Sequence, residues 1–399
     1  MHLSNLLKQN VVGKLLNHGI VFLINIEIVR LLGASTSGFY FNELYLINFF
    51  AFMGSIGLDY AAIAWIANQP QLQRKIHRAF IWLSIVFIAF FSTLIFFILP
   101  EKFVLSQQSS IAIVLLCAGN LLLILFQGLL SAIKKFQVQN TWLIITNILF
   151  LLGLYWIEIF HIQTYFQAVC IGYGSLFFIQ GLLMCFMSFS NQQPGNDVIA
   201  WKPFFQYGLN IMLTSLVFYV FLRVDNFFVE RYCDAVALSN YVQCGKVGQY
   251  FLYFASIVSS TLLPFFSSHK MPNSFANWKS MVRPYVLMMF VGALMIGLFG
   301  NVVFPFIFGV AFKQMQSIML ILLPGYFCLG LLTLVNVLYL AKKNIKRIVI
   351  GDIMGLLIVV IFDALLIPTY GVYAAAIIST IAYCMVFLFV WWDAKKQFH

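Results

Sequence analysis

Runs of 18 or more mostly apolar residues recur along the whole chain, and no other feature limits its fold so strongly. A helix rising about 1.5 Å per residue needs roughly that length to cross a hydrocarbon core about 30 Å thick. Inside lipid, every backbone N–H and C=O must find its partner within the protein, so such runs become helices. Twelve are distinguished, at about 10–32, 38–66, 79–99, 110–133, 141–160, 165–189, 203–229, 236–266, 283–309, 314–340, 347–368 and 371–392. Hydrophobic residues make up 62% of the 399 and charged residues only 9%, which is more apolar surface than one water-facing core could bury. The expected class is an all-α integral membrane protein of about 12 transmembrane helices.

Lys and Arg positions set the expected orientation. With the N-terminus in the cytoplasm, seventeen of them fall on the inner side, among them Arg74, Lys75, Lys134, Lys135, Lys342 and Lys343. Only Arg30, Lys102, Arg231 and Lys313 fall outside. Both termini are therefore expected in the cytoplasm, and the net charge of +11 reads as topology and attraction to anionic membrane lipids, with no nucleic acid as partner. The first run carries Lys14, Asn17 and His18 and no small-residue cleavage site, so it reads as a retained helix. Seven scattered cysteines without a C-x-x-C pair read as small apolar filler, and no metal site or cofactor is expected.

The stretch SNQQPGNDVIAWK (190–202) is the one connection combining Pro, Gly, Asn and Gln, and it parts six runs from six. The domains expected are an N-terminal six-helix bundle over 1–190, a cytoplasmic linker over 191–202 and a C-terminal six-helix bundle over 203–399. Two traces suggest an internal repeat: AIKK (132–135) against LAKK (340–343), and SGFYFNE (37–43) against LSNYVQC (238–244). Two such bundles facing each other across a cleft form the architecture of an alternating-access transporter.

Charges at membrane depth cost some 2.5–3.5 kcal/mol or more each, so they usually face a protein interior or a wet cavity. Lys246 is the deepest cation, about ten residues inside its run. Gln249, Tyr253, Ser256 and Ser260 follow it at helical spacing, and Gly245 and Gly248 beside it permit close helix approach. Arg223 and Asp225 stand in FLRVDNFF. On a continuous helix Asp225 shares a face with Asn210 and Thr214, while Arg223 points the other way, which suits a gate at the outer mouth. Lys14 and His18 open a polar stripe on the first run; Glu27 and Arg30, three apart, can pair. On the second run Glu43 stands near one end, and Asn48, Ser55 and Asp59 form a stripe.

A cavity lined by Lys246, Arg223, His18 and Lys14 suits an anionic passenger such as a phosphate or pyrophosphate headgroup. The carboxylates Glu27, Glu43, Asp59 and Asp225 could neutralise these cations or bind a coupling H⁺ or Na⁺. Other roles compete: Arg30, Arg231 and Lys14 can snorkel to headgroups, and Asp352 and Asp363 read as interfacial or structural residues near the ends of their run.

The stretches IVRLLGASTSGFYFNELYLINFFAFMGSIGLDYAAIAWIA (28–67) and FFQYGLNIMLTSLVFYVFLRVDNFFVERYCDAVALSNYVQCGKVGQYF (204–251) resemble polysaccharide-export flippases of the O-antigen or capsule repeat-unit type. These belong to the multidrug/oligosaccharidyl-lipid/polysaccharide exporter superfamily. The resemblance rests on the R-L-L-G turn before an aromatic helix start and on R-x-D near the end of the seventh run, with a Tyr opening the eighth. It implies translocation of undecaprenyl-pyrophosphate-linked oligosaccharide across a bacterial inner membrane, through a V-shaped cationic cleft, with Arg223 and Lys246 as lumen cations and other polysaccharide-assembly proteins as partners. Competing expectations are a cation-coupled drug or toxin antiporter of the same superfamily, a lipid II flippase, and a membrane polysaccharide polymerase or ligase. The last would be an enzyme and usually carries a large outer loop, whereas the loops here are short.

Overall fold

The computed structural model describes residues 3–98, 110–159, 165–189, 199–267, 274–341 and 346–398, all in helices, turns and short connections. The described elements are α1 (Leu3–Ser55), α2 (Leu58–Asn68), α3 (Gln73–Ile98), α4 (Ser110–Ala132), α5 (Phe136–Ile159), α6 (Tyr165–Met187), α7 (Trp201–Phe221), α8 (Val224–Tyr232), α9 (Ala235–Ser267), α10 (Ser274–Phe308), α11 (Met315–Ala341) and α12 (Lys346–Phe398). Among the described residues, nine stretches are long and apolar enough to cross a membrane. Two of these, of 44 and 52 residues, hold two crossings each, because α1 kinks at Gly33 (φ 73°) and α12 at Gly371 (φ 63°). With α9, 33 residues long and diluted by its polar stripe, the crossings come to the twelve expected from the sequence. The protein is an all-α membrane protein of about 12 helices.

Contacts divide the chain into two compact units. Unit 1 comprises 1–32 and 43–216; unit 2 comprises 33–42 and 217–399. In each, the fourth crossing is the central helix. Of the membrane-length window, 72% is buried in α4 and 67% in α11, against 28% in α3 and 11% in α10. In unit 1, α4 packs on α6, α2 and α3; in unit 2, α11 packs on α9, α12 and α10. Glycines set the close approaches, since a Cβ on Gly119 would lie 2.4 Å from the α6 backbone and one on Gly248 would strike the Tyr326 ring. Peripheral helices turn large apolar side chains outward, with Trp82 68%, Phe186 75% and Phe306 79% exposed, a surface that only lipid covers cheaply.

Two crossings that read as continuous helices in the sequence are broken. The second breaks at Ile56 and Gly57 (φ 52° and 64°), between α1 and α2. Left-handed backbone is costly for an L-residue, and a Cβ on Gly57 would lie 2.4 Å from the Gly208 carbonyl oxygen on α7, so only glycine fits there. The Ser55 hydroxyl, donating to the Phe52 carbonyl at 2.7 Å, stabilises the turn. The seventh crossing breaks between Phe221 and Val224, where Arg223 has φ −135° and ψ −14°. The angular relation of Asp225 to Asn210 and Thr214, read on an unbroken helix, therefore does not carry through.

Candidate functional site

Both breaks leave an acid in the first turn of the helix that follows: Asp59 in α2 and Asp225 in α8. Unsatisfied N–H groups and the aligned peptide dipoles make that position favourable to negative charge. The two acids differ in their surroundings. Asp59 packs against Gly128 of α4, where a Cβ would come within 2.6 Å of its own Cβ, and its Oδ1 is buried without a hydrogen-bond partner among the described residues. Asp225 is only 4% exposed and is held from three sides. Its Oδ1 accepts the Asn226 N–H at 2.8 Å, and its Oδ2 accepts the Tyr241 hydroxyl of α9 at 2.5 Å and the Ser379 hydroxyl of α12 at 3.0 Å. The Tyr241 and Ser379 hydroxyl oxygens are 3.3 Å apart. One carboxylate thus joins α8, α9 and the second half of α12.

Around it lie the charges that the sequence singles out in this half. Arg223 is close enough to Asp225 to attract it and close enough to Lys246 to repel it. Lys246, half-buried on α9, places its ammonium 2.8 Å from the centre of the Phe41 ring, a cation–π contact within unit 2. The Tyr326 hydroxyl donates to the Gly245 carbonyl at 3.3 Å, so α11 closes one side of the cluster through the two glycines beside Lys246. Further along the stripe Gln249 is half-exposed and Tyr253 and Ser256 are exposed, while the side chain of Ser260 lies outside the described residues. This face of α9 is left uncovered by unit 2.

The segment 33–42 meets the start of α9. The Ser37 and Ser239 hydroxyls are 3.1 Å apart, Ser239 also donates to the Ala34 carbonyl, and a Cβ on Gly38 would strike the Ser239 backbone. Asn42 donates to Glu230. The two stretches that the sequence aligns as repeats therefore pack on one another.

The remaining candidates belong to unit 1. Lys14 is exposed and His18 half-buried on α1. Glu27, 6% exposed, reaches Arg30 at 4.0 Å, the i, i+3 pair anticipated from spacing. Glu43 is 7% exposed. Two of the four expected cavity cations, Arg223 and Lys246, are thus brought together in unit 2, and His18 and Lys14 stand together in unit 1. Buried polar groups in unit 1 also include a neutral amide chain: Asn147 donates to Asn17, and Gln180 donates to Asn147 and to Thr146, each at 2.8 Å.

Asp352 and Asp363, read from sequence as interfacial or structural, are buried at 3% and 0% exposure. Neither oxygen of the Asp363 carboxylate has a hydrogen-bond partner among the described residues. The Tyr241 and Ser379 contacts of Asp225 were not legible in sequence, because those partners are up to 154 residues apart.

No protein-family model matches the chain, and no curated protein matches it by sequence. Solved structures do match. The lipid II flippase MurJ in an inward closed conformation is 16% identical over 96% of this chain and 87% of its own, with a TM-score of 0.71. An inward-facing multidrug resistance MATE family transporter of the MOP superfamily is 13% identical over 95% and 94%, with a TM-score of 0.73. A MOP superfamily transporter from Pyrococcus furiosus, described as having a binding pocket of reversed polarity, is 12% identical over 98% and 95%, with a TM-score of 0.70. The chain shares the fold of these transporters along nearly its whole length.

Proposed function

We propose that this chain is a flippase that moves an undecaprenyl-pyrophosphate-linked oligosaccharide from the cytoplasmic to the outer face of a bacterial inner membrane, by alternating access, for surface-polysaccharide synthesis. The observation that carries the reading is the cationic pair of Lys246 and Arg223 at membrane depth, with Lys246 seated on Phe41 and an exposed polar stripe of α9 continuing from it. A pyrophosphate linker offers the charge and the acceptor oxygens that such cations bind. The fold supports a transporter, and one protein of that fold is a lipid II flippase. The same fold also serves MATE multidrug transporters, so a drug antiporter is the second reading. The Pyrococcus transporter suggests that pocket polarity separates functions on this fold, and the deep cations here favour an anionic passenger over an organic cation.

In this reading both termini lie in the cytoplasm, and His18 and Lys14 add cationic attraction for the same headgroup. Glu27, Glu43, Asp59 and Asp225 neutralise the cations or couple the cycle to H⁺ or Na⁺. Deleting the gene tests the reading. Lipid-linked repeat units accumulating on the cytoplasmic face are expected. Unpolymerised units on the outer face would instead mean a polymerase, and unchanged glycan with drug hypersensitivity would mean an antiporter.

A further inference from the structure

Pro324 stands inside α11 and lacks the N–H that would bond the Leu320 carbonyl, so the turn before it is a weak point in the central helix of unit 2. The second half of α12 packs on that turn. A Cβ on Gly325 would lie 2.9 Å from the Thr380 Cα, and the Thr380 hydroxyl donates to the Ile321 carbonyl at 2.7 Å. One turn further along both helices, at steps of three and four residues, the same seam brings Cys328 of α11 to Cys384 of α12. Their sulfurs are 3.1 Å apart, with the Cys384 thiol aimed at Cys328 and 3.9 Å from the Pro324 carbonyl oxygen. Both belong to the seven cysteines that read as apolar filler in the sequence, where 56 residues separate them.

Position sets the chemistry open to this pair. Cys328 is thirteen residues from either end of α11, about 20 Å by helix rise, and so at mid-membrane depth. Both residues are half-buried, and Ile381 and Met385 beside Cys384 are 49% and 44% exposed, so the pair borders a surface open to a small reagent dissolved in lipid. Among the described residues no three His, Cys, Asp or Glu side chains come together, so the thiols lack the further ligands of a zinc site. Two thiols whose sulfurs stand about 1 Å beyond disulfide bonding distance have one short reaction available, oxidation to that bond. Hydrogen peroxide, small and uncharged, reaches that depth, whereas charged thiol reductants such as glutathione do not.

We propose that Cys328 and Cys384 form a redox modification site that a small hydroperoxide closes to a disulfide, pinning the proline turn of α11 to the second half of α12. One sulfur attacks a peroxide oxygen, the O–O bond breaks, and a sulfenic acid forms as water leaves with the thiol proton. The second sulfur attacks the sulfenic sulfur, an S–S bond replaces the S–O bond, and a second water carries off the remaining proton. Two thiols give up two electrons and two protons, and one hydrogen peroxide becomes two waters. The link joins positions 56 residues apart and restricts the unfolded chain, so the oxidised protein is the more heat-stable form. None of this depends on which passenger the chain carries.

The test exposes the purified full chain in lipid nanodiscs to hydrogen peroxide, caps the remaining thiols with N-ethylmaleimide, and maps the digest by mass spectrometry before and after dithiothreitol. Expected are a linked Cys328–Cys384 peptide that dithiothreitol releases and a melting temperature raised by about 5 °C in the linked protein. Cys384→Ser should lose both and cut the dithiothreitol-recoverable thiol at Cys328 by about tenfold, while Cys185→Ser in unit 1 should match the wild type. Should Cys384→Ser fail to fold, the wild-type peptide map alone decides. Peroxide that leaves Cys328 and Cys384 both capped by N-ethylmaleimide, or that drives either to a sulfinic or sulfonic acid with no linked peptide, overturns the proposal.

Discussion

The two helix breaks, one in each unit, present an acid in the same local position and treat it in opposite ways. In unit 1 the break is built from a left-handed glycine pressed against Gly208, and Asp59 follows it with backbone support and the Gly128 surface of α4 as its neighbours. In unit 2 the break needs no glycine. Arg223 keeps a negative φ there, and Asp225 is tied to Tyr241 and Ser379. The first break is fixed by steric fit, the second by charge and hydrogen bonding. Sterically locked bends resist change, whereas a bend held by ionisable groups can respond to what binds there. The neutral amide chain of Asn17, Asn147, Thr146 and Gln180 adds to the contrast, because its partners are satisfied without any ion.

Breaking that contrast gives a graded series of outcomes. The largest effect is expected from Lys246→Ala or Arg223→Ala, which should abolish surface-glycan export in cells while immunoblots show the protein inserted at normal abundance. Next is Gly57→Val at the steric break, where strain at positive φ and overlap with Gly208 should lower stability by about 2–4 kcal/mol, read as a fall in the melting temperature. Tyr241→Phe removes one donor from buried Asp225 and should cost about 1–3 kcal/mol. Asn147→Leu in unit 1 removes a donor to Asn17 and an acceptor for Gln180 and should cost a similar amount, read as a fall in the melting temperature. Ser55→Ala is the mildest, about 0.5–1.5 kcal/mol, since it removes a single bond at the turn and leaves Gly57 in place.

The crossings were legible in the sequence because length and apolar content alone decide them in lipid. Gly33 and Gly371 fall where two apolar runs meet. The breaks at Gly57 and Arg223 were not legible. Gly57 lies among apolar residues that continue a helix equally well, and its reason for being glycine sits on α7, 151 positions later. Lys246 could be found from its depth, because one cation inside an apolar run has few inexpensive explanations. The burial of Asp363 escaped since it is a lone acid near the end of a run. Its place eight residues before the Gly371 kink, about 12 Å along a helix, was the available hint that it lies too deep for the interface. The R-x-D spacing pointed to the right place for a different reason: the pair marks a helix break and not two faces of one helix.

Reconstitution of the purified chain in sealed liposomes tests the central claim most directly. With a fluorescent undecaprenyl-pyrophosphate oligosaccharide loaded in one leaflet and an impermeant quencher outside, the wild-type protein is expected to move the glycolipid between leaflets, and Lys246→Ala to leave it in place. Transport of organic cations with no movement of the glycolipid, or equal glycolipid movement by wild type and Lys246→Ala, would contradict the account.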